Sequence, residues 1–326
     1  MRSDRIALWD NVKASLILLV VIGHFADVYS SGVYKSAFLF IYSFHMPLFF
    51  FVAGLFAKQE KDWAQRQALA YLALYVLLKS IFFVEKRLLG MSASFVLLKE
   101  SGLPWFMFSM ACFSLLGWLL RRVPLKLLLP IWLLTACCVG YDQSVKDYLV
   151  LSRNIVYFPF FLLGSRMGKE RLLRLREKRG LRWAALGVLL LWAFLCLYCR
   201  TQLYPLRPLF TGRNPYGDMS YGALRRLLCY GIATLVGLSL ILVTPERRFR
   251  LSVLGQRTLQ IYFWHYIVLF VLMYGKLHTY LCRTPAGKIA WLLLAVALCL
   301  ALAWRPFGFP ARTIMDTARG TGTEKS

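Results

Sequence analysis

The chain has 326 residues, 59% of them hydrophobic and only 17% charged, with a mean hydropathy of +0.57. An ordinary soluble domain carries about 25% charged residues, so a single soluble core is excluded and a membrane domain covering almost the whole chain is expected. The net charge of +25 does not signal a nucleic-acid partner, because its basic residues gather between apolar blocks, where they set topology and meet anionic lipid headgroups.

The apolar blocks are about 17–22 residues long, the length that spans a bilayer core of about 30 Å. Ten spans are expected, at 12–30, 36–57, 68–84, 103–120, 124–141, 153–168, 183–199, 223–243, 258–275 and 287–304. A short polar tail, 305–326, follows. The expected fold is an all-α polytopic helix bundle, one domain over 1–326. Counting from Arg2 and Arg5 at one end to the tail with Lys325 at the other, one face receives 23 basic residues and the opposite face 11. The excess of positive charge places both termini in the cytoplasm of a multi-pass protein of the inner, cytoplasmic membrane. The first apolar block lacks a small-residue cleavage site and carries internal charges, so it is expected to be a retained helix and not a signal peptide.

Ionisable groups inside a span cost about 2.5–3.5 kcal/mol each on insertion scales, so each needs a reason. In the first span Asp10, Lys13, His24 and Asp27 fall within an arc of about 100° at 100° per residue. They form one polar stripe, in which Lys13 and His24 are about 16 Å apart along the axis. His24 suits a general base that takes a proton from a hydroxyl and returns it to a leaving thiolate; it also reads as a helix-bonding histidine. Asp27, one turn on, is placed to orient it. The second span carries His45 in SFHMPLFFFVAG (43–54). Pro47 must disturb the helix beside it, and broken helices at membrane depth line cavities. His45 therefore reads as a catalytic or substrate group, or as a helix-bonding one, and Gly54 as a close helix approach. Lys79 in the third span is expected to snorkel.

Arg153 and Asn154 open the sixth span, where an arginine suits either a phosphate or the interface. The basic run 169–180 that follows reads as an amphipathic interfacial helix or, preferably, as a topology anchor. Cys196 and Cys199 form a lone C-x-x-C without a second pair and read as structural, while Cys112, Cys137, Cys138, Cys229 and Cys299 read as small apolar fillers. The loop 200–222 contains Pro205, Pro208 and Pro215, with Tyr204, Phe210, Tyr216 and Tyr221 suited to an interfacial belt or to stacking on sugars. Arg225 and Arg226 at the start of the eighth span are expected to snorkel. His265, in IYFWH (261–265), lies among aromatic neighbours in the ninth span and reads preferably as structural, and His278 in a loop has no assigned role. No metal-ligand cluster, phosphate loop or nucleophile elbow is present, so no metal and no permanently bound cofactor are expected. No internal repeat of the kind common in secondary transporters is seen.

Five stretches in order resemble the type 3 family of integral-membrane acyltransferases, in particular its fucose 4-O-acetylase-like branch. They are RIALWDNVKASLILLVVIGH (5–24), FHMPLFFFVAG (44–54), PWFMFSM (104–110), RNIVYFPFFLLGSRMG (153–168) and LGQRTLQIYFWH (254–265). The resemblance implies about ten helices and transfer of an acyl group, acetyl foremost, from a cytoplasmic acyl-CoA co-substrate to a glycan or polyprenyl-linked sugar. It makes His24 the catalytic residue and Lys13 its partner; the full reading adds Asp27 to the catalytic group and gives substrate-binding roles to Asp10, His45, Trp105, Arg153, Asn154 and His265. Lysine stands at 13 where many members have arginine, which keeps charge and loses the bidentate fork. Leu74-Tyr75 replaces a Pro-Tyr pair, so a straighter third helix is expected. A non-catalytic glycan or lipid exporter, or a subunit of an assembly complex, is the alternative reading of the same polar stripe.

Overall fold

A computed structural model describes residues 7–29, 31–213, 216–217 and 220–320. Arg2, Arg5, Pro215 and Lys325, which entered the topology and loop readings, lie outside the described residues. Among those described the chain is all helical and has no β-strand. The helices begin with α1 (Ala7–Asp27), α2 (Val33–Tyr42), α3 (His45–Leu55) and α4 (Lys61–Leu88). They continue with α5 (Trp105–Leu119), α6 (Leu125–Cys138), α7 (Leu151–Arg166), α8 (Lys169–Glu177) and α9 (Arg179–Tyr198). Two single turns, α10 (Arg200–Leu203) and α11 (Arg207–Phe210), precede α12 (Gly222–Val243). The last are α13 (Ser252–Gln256), α14 (Thr258–Tyr274), α15 (Leu277–Leu281), α16 (Pro285–Leu302) and α17 (Ala311–Arg319).

Among the described residues, six stretches are long and apolar enough to cross a membrane: α1, the α2–α3 pair as Val33–Leu55, α4, α9, α12 and α16. Trp105–Leu119, Leu125–Tyr141 and Thr258–Tyr274 are apolar but shorter, and α7 has 16 residues with Arg153 near one end and Arg166 at the other. Each of the ten expected intervals therefore meets a helix, and six of these helices are candidate membrane spans by length and composition. Two further segments are helical: the basic run, for which a helix is one of the two readings, and the tail, read as polar without one. The basic run holds α8, whose Leu172 and Arg176 are buried, and the tail holds α17, whose Ala311 and Met315 are buried.

The chain divides into two compact units, residues 1–49, 170–207 and 232–310, and residues 50–169, 208–231 and 311–326. In the first, α1 is the central helix, packed on α2, α13, α14 and α16. Leu8, Leu16, Ile17, Val21 and Phe25 are fully buried there. Gly255 lets α13 close on α1, since a Cβ at that position would overlap the carbonyl oxygen of Asp10. Asn11 ties α1 to the loop between α12 and α13 by donating to the carbonyls of Pro245 (2.8 Å) and Arg247 (2.9 Å). Outward from this core, α9 exposes Trp183, Leu190, Leu191, Phe194 and Tyr198, the apolar face that a lipid environment calls for.

The buried Arg176 of α8 ends α12. Its guanidinium donates to the carbonyls of Ile241, Leu242 and Thr244 and pairs with Glu246 at 2.9 Å. These are carbonyls that a helix C-terminus leaves without intrahelical partners, and a cation is favoured at that end of the dipole.

In the second unit α5 packs on α4 and α7, α6 on α7, and α17 on α4. Residues 50–55 of α3 meet α7 through a pair of glycines. A Cβ on Gly54 would overlap the carbonyl of Phe161, and one on Gly164 the carbonyl of Phe51. The close approach expected of Gly54 is therefore made, and Gly164 reciprocates it. Lys79 does not snorkel: its ammonium pairs with Glu100 at 2.6 Å and donates to the carbonyl of Lys99, with both side chains nearly buried. Arg226 does not snorkel either. At 1% exposure it donates to the carbonyl of Leu209 and lies over the Tyr216 ring at 5.6 Å. Burial also removes Tyr216 from any surface stack, its hydroxyl donating to the carbonyl of Cys137.

Candidate active site

The second apolar stretch breaks at Ser43 and Phe44, between α2 and α3. Proline has no N–H to donate and its ring collides with the carbonyl four residues earlier, which for Pro47 is that of Ser43. The helix restarts with Pro47 in its first turn, where proline is tolerated. Polar side chains serve the freed backbone. The Ser43 hydroxyl donates to the carbonyl of Phe40 (2.8 Å) and accepts from the Trp192 indole (2.9 Å). His45 Nδ1 donates to the carbonyl of Ile41 at 2.8 Å.

His24 sits in α1 beside this break. Its Nδ1 is 3.3 Å from the Tyr42 hydroxyl, and Tyr42 meets the His45 ring edge-on at 4.8 Å. From α14, the rings of His265 and Tyr266 approach His24 at 5.3 and 5.2 Å between centroids. The first unit thus brings together His24, His45 and His265, three histidines that are far apart in sequence. His45 and His265 are buried, while His24 and Tyr42 are half-buried.

The hydrogen bonds fix which nitrogen carries the hydrogen. His265 Nδ1 lies 2.8 Å from the carbonyl of Tyr262 and 3.1 Å from that of Ile261. A carbonyl only accepts, so Nδ1 of both His45 and His265 carries the hydrogen, and in the neutral rings Nε2 keeps the lone pair. The Nε2 of His265 is buried and has no hydrogen-bond partner among the described residues. A buried lone pair left without a donor is costly and suits an incoming O–H or N–H.

The remaining first-span residues occupy the ends of the stripe. Asp10 is 4% exposed; one carboxylate oxygen pairs with Lys13 at 3.2 Å and the other accepts from Gln256 at 3.1 Å. Asp27 pairs with Arg207 at 2.7 Å, and the hydroxyl at His24 Nδ1 belongs to Tyr42.

Arg153, Asn154 and Trp105 belong to the second unit. The Arg153 guanidinium lies 4.7 Å over the Trp105 ring, which stacks on Tyr157 at 5.5 Å. Arg153 and Arg213 both donate to the carbonyl of Ser101, at 3.4 and 2.7 Å. Asn154 donates to the carbonyl of Leu149, and its own Oδ1 is buried without a partner among the described residues.

Sequence reasoning missed Tyr42, Tyr266, Gln256 and Arg207 as neighbours of the stripe. Tyr42 had a local signal, three residues before His45, and Tyr266 directly follows His265. Gln256 and Arg207 had none, because only the tertiary fold carries them to α1.

A helical membrane protein with imidazoles and phenols grouped, buried or half-buried, beside a broken helix has the makings of a proton-transfer enzyme. Residues 6–305 match the acyltransferase domain that defines the type 3 acyltransferase family, and the chain belongs to that family. No curated protein and no solved structure matches it.

Proposed function

We infer that the chain moves an acyl group, acetyl foremost, from acyl-CoA to a hydroxyl of a cell-surface glycan or polyprenyl-linked sugar. This is the activity implied by the resemblance to the fucose 4-O-acetylase-like branch. The reading includes ten spans in the inner membrane with both termini cytoplasmic, six from the long apolar helices and four from the shorter ones.

His24 is the general base. Its Nδ1 faces the Tyr42 hydroxyl, and with Nδ1–H donated there Nε2 is free to accept a proton. The acceptor hydroxyl gives its proton to Nε2 as its oxygen attacks the thioester carbonyl. The carbon–sulfur bond then breaks, and the proton returns from His24 to the departing CoA thiolate. The Nε2 of His265 accepts a hydrogen bond from the bound acceptor, and His45 plays the same part on the α3 side. Asp10 holds Lys13 for the charge of the donor. Arg153, Trp105 and Asn154 bind substrate, the guanidinium suiting phosphate oxygens.

The observation that carries this reading is the gathering of His24, Tyr42 and His265 at the break between α2 and α3. It is tested in inverted membrane vesicles supplied with radiolabelled acetyl-CoA. Label enters glycan or lipid-linked sugar with the wild type, and falls about 10²–10⁴-fold in His24→Ala, the range for loss of a general base. Equal labelling by both removes His24 from the mechanism. Absence of label from both, together with no binding of coenzyme A by the purified protein, returns the exporter reading.

A further inference from the structure

Phe38 stacks face-on against Tyr42, with ring centroids 3.8 Å apart and planes at 16°. On the same Phe38 ring lies the Arg207 guanidinium, at 4.8 Å, and Arg207 is held in turn by Asp27 at 2.7 Å. These contacts form a closed circuit. Asp27 leaves α1 one turn after His24, reaches Arg207, passes through Phe38 to Tyr42, and returns to His24 through the Tyr42 hydroxyl.

Arg207 is not an incidental surface contact. Three residues before it, Tyr204 receives the Lys35 ammonium at 4.5 Å from its ring centre. Lys35 and Phe38 stand three apart on α2, and Tyr204 and Arg207 stand three apart on the external segment. Each side therefore supplies one cation and one ring, and the two cation–π contacts fix the segment to α2 at two points. Gly23 completes the seat, since a Cβ there would come within 3.1 Å of both the Tyr42 ring and Ile41.

A half-buried tyrosine without such support has freedom about two side-chain bonds, and its hydroxyl would leave His24 with small rotations. Catalytic groups lose rate steeply with such displacement. We propose that Arg207 is a positioning residue, held by Asp27 and laid on Phe38, which locks the Phe38–Tyr42 stack and so keeps the Tyr42 hydroxyl on His24. This rests on His24 being the base. Asp27 then orients His24 by way of the external segment.

The test uses the full-length protein in vesicles, with rates of labelled acetyl transfer measured against acetyl-CoA concentration and normalised to protein in the membrane. Phe38→Leu keeps apolar volume and loses the stacking plane; Arg207→Lys keeps charge and loses the planar group. Both are expected to lower kcat roughly three- to tenfold, the worth of an aromatic or cation–π contact, with KM for acetyl-CoA unchanged. Phe38→Tyr restores the ring and the rate. A purely structural contact would not give this split and rescue. Equal rates in Phe38→Leu and Phe38→Tyr, or a KM rise with kcat intact, would overturn the inference. His24→Gln separates the two readings. If it is inactive while both Phe38→Leu and Arg207→Lys are fully active, the positioning role alone falls; if it is as active as wild type, the base and the positioning role fall together. Should Phe38→Leu not accumulate in the membrane, half-exposed Arg207 carries the comparison by itself.

Discussion

At the scale of single residues, the most informative atom is the Tyr42 hydroxyl. It is the hydrogen-bonding group at His24 Nδ1, and its ring is held independently of that bond by Phe38. Removing the hydroxyl alone should therefore leave the ring in place. Tyr42→Phe is expected to slow acyl transfer roughly tenfold, about 1.4 kcal/mol, as for the loss of one hydrogen bond to a reacting group. Its yield in the membrane should match wild type. An unchanged transfer rate would mean that the tyrosine is only a neighbour. His24 itself was legible in the sequence, because a polar stripe along an apolar helix admits few explanations. What the helical period does not encode is the partner on another helix. Asp27 is an example: one turn from His24 it reads as an orienting carboxylate, and nothing in the sequence announces that Arg207 pairs with it.

Among elements, the break between α2 and α3 was readable from Pro47, since the chemistry of proline is local. The roles of α8 and α17 were not read, although in α17 Ala311, Ile314, Met315 and Ala318 recur at i, i+3, i+4 and i+7, the period of a helix with one buried face. In α8 the buried group is a charge. Arg176 reaches three carbonyls at the end of α12 and the carboxylate of Glu246. Arg176→Ala leaves those carbonyls without a donor and is expected to destabilise the protein by roughly 2–3 kcal/mol, read as a fall of several degrees in Tm in detergent. Arg176→Lys should recover less than half, since an ammonium lacks the fork that spans several acceptors. Full recovery by lysine would show that charge at the helix end suffices. The same physics explains why Arg226 and Lys79 were misread as snorkelling. An arginine or lysine near a helix end looks alike whether it points to water or inward, and only Leu209, Tyr216 and Glu100 decide it.

For the whole molecule, composition alone excluded a soluble domain, and every expected span meets a helix. The number of crossings rests on the length of the apolar blocks and their sense on the distribution of charge, and a labelling experiment checks both directly. With ten spans and cytoplasmic termini, Ser144→Cys should react with an impermeant maleimide in cells whose outer barrier is opened, and Gln59→Cys only after the inner membrane is breached. The background is a variant lacking the eight native cysteines. Reaction of both from the same side would reduce the count of spans between them.

The contact between Gly54 and Gly164 has a consequence for how this sequence is able to change. Compensation normally works by exchange, a larger side chain on one helix being matched by a smaller one opposite. Here each glycine faces the other helix's main chain, at Phe161 and at Phe51, and a main chain has nothing to trim. The two positions therefore cannot trade volume, and each is closed to substitution whatever stands at the other. Drift in this part of the family's sequence space must go around the pair.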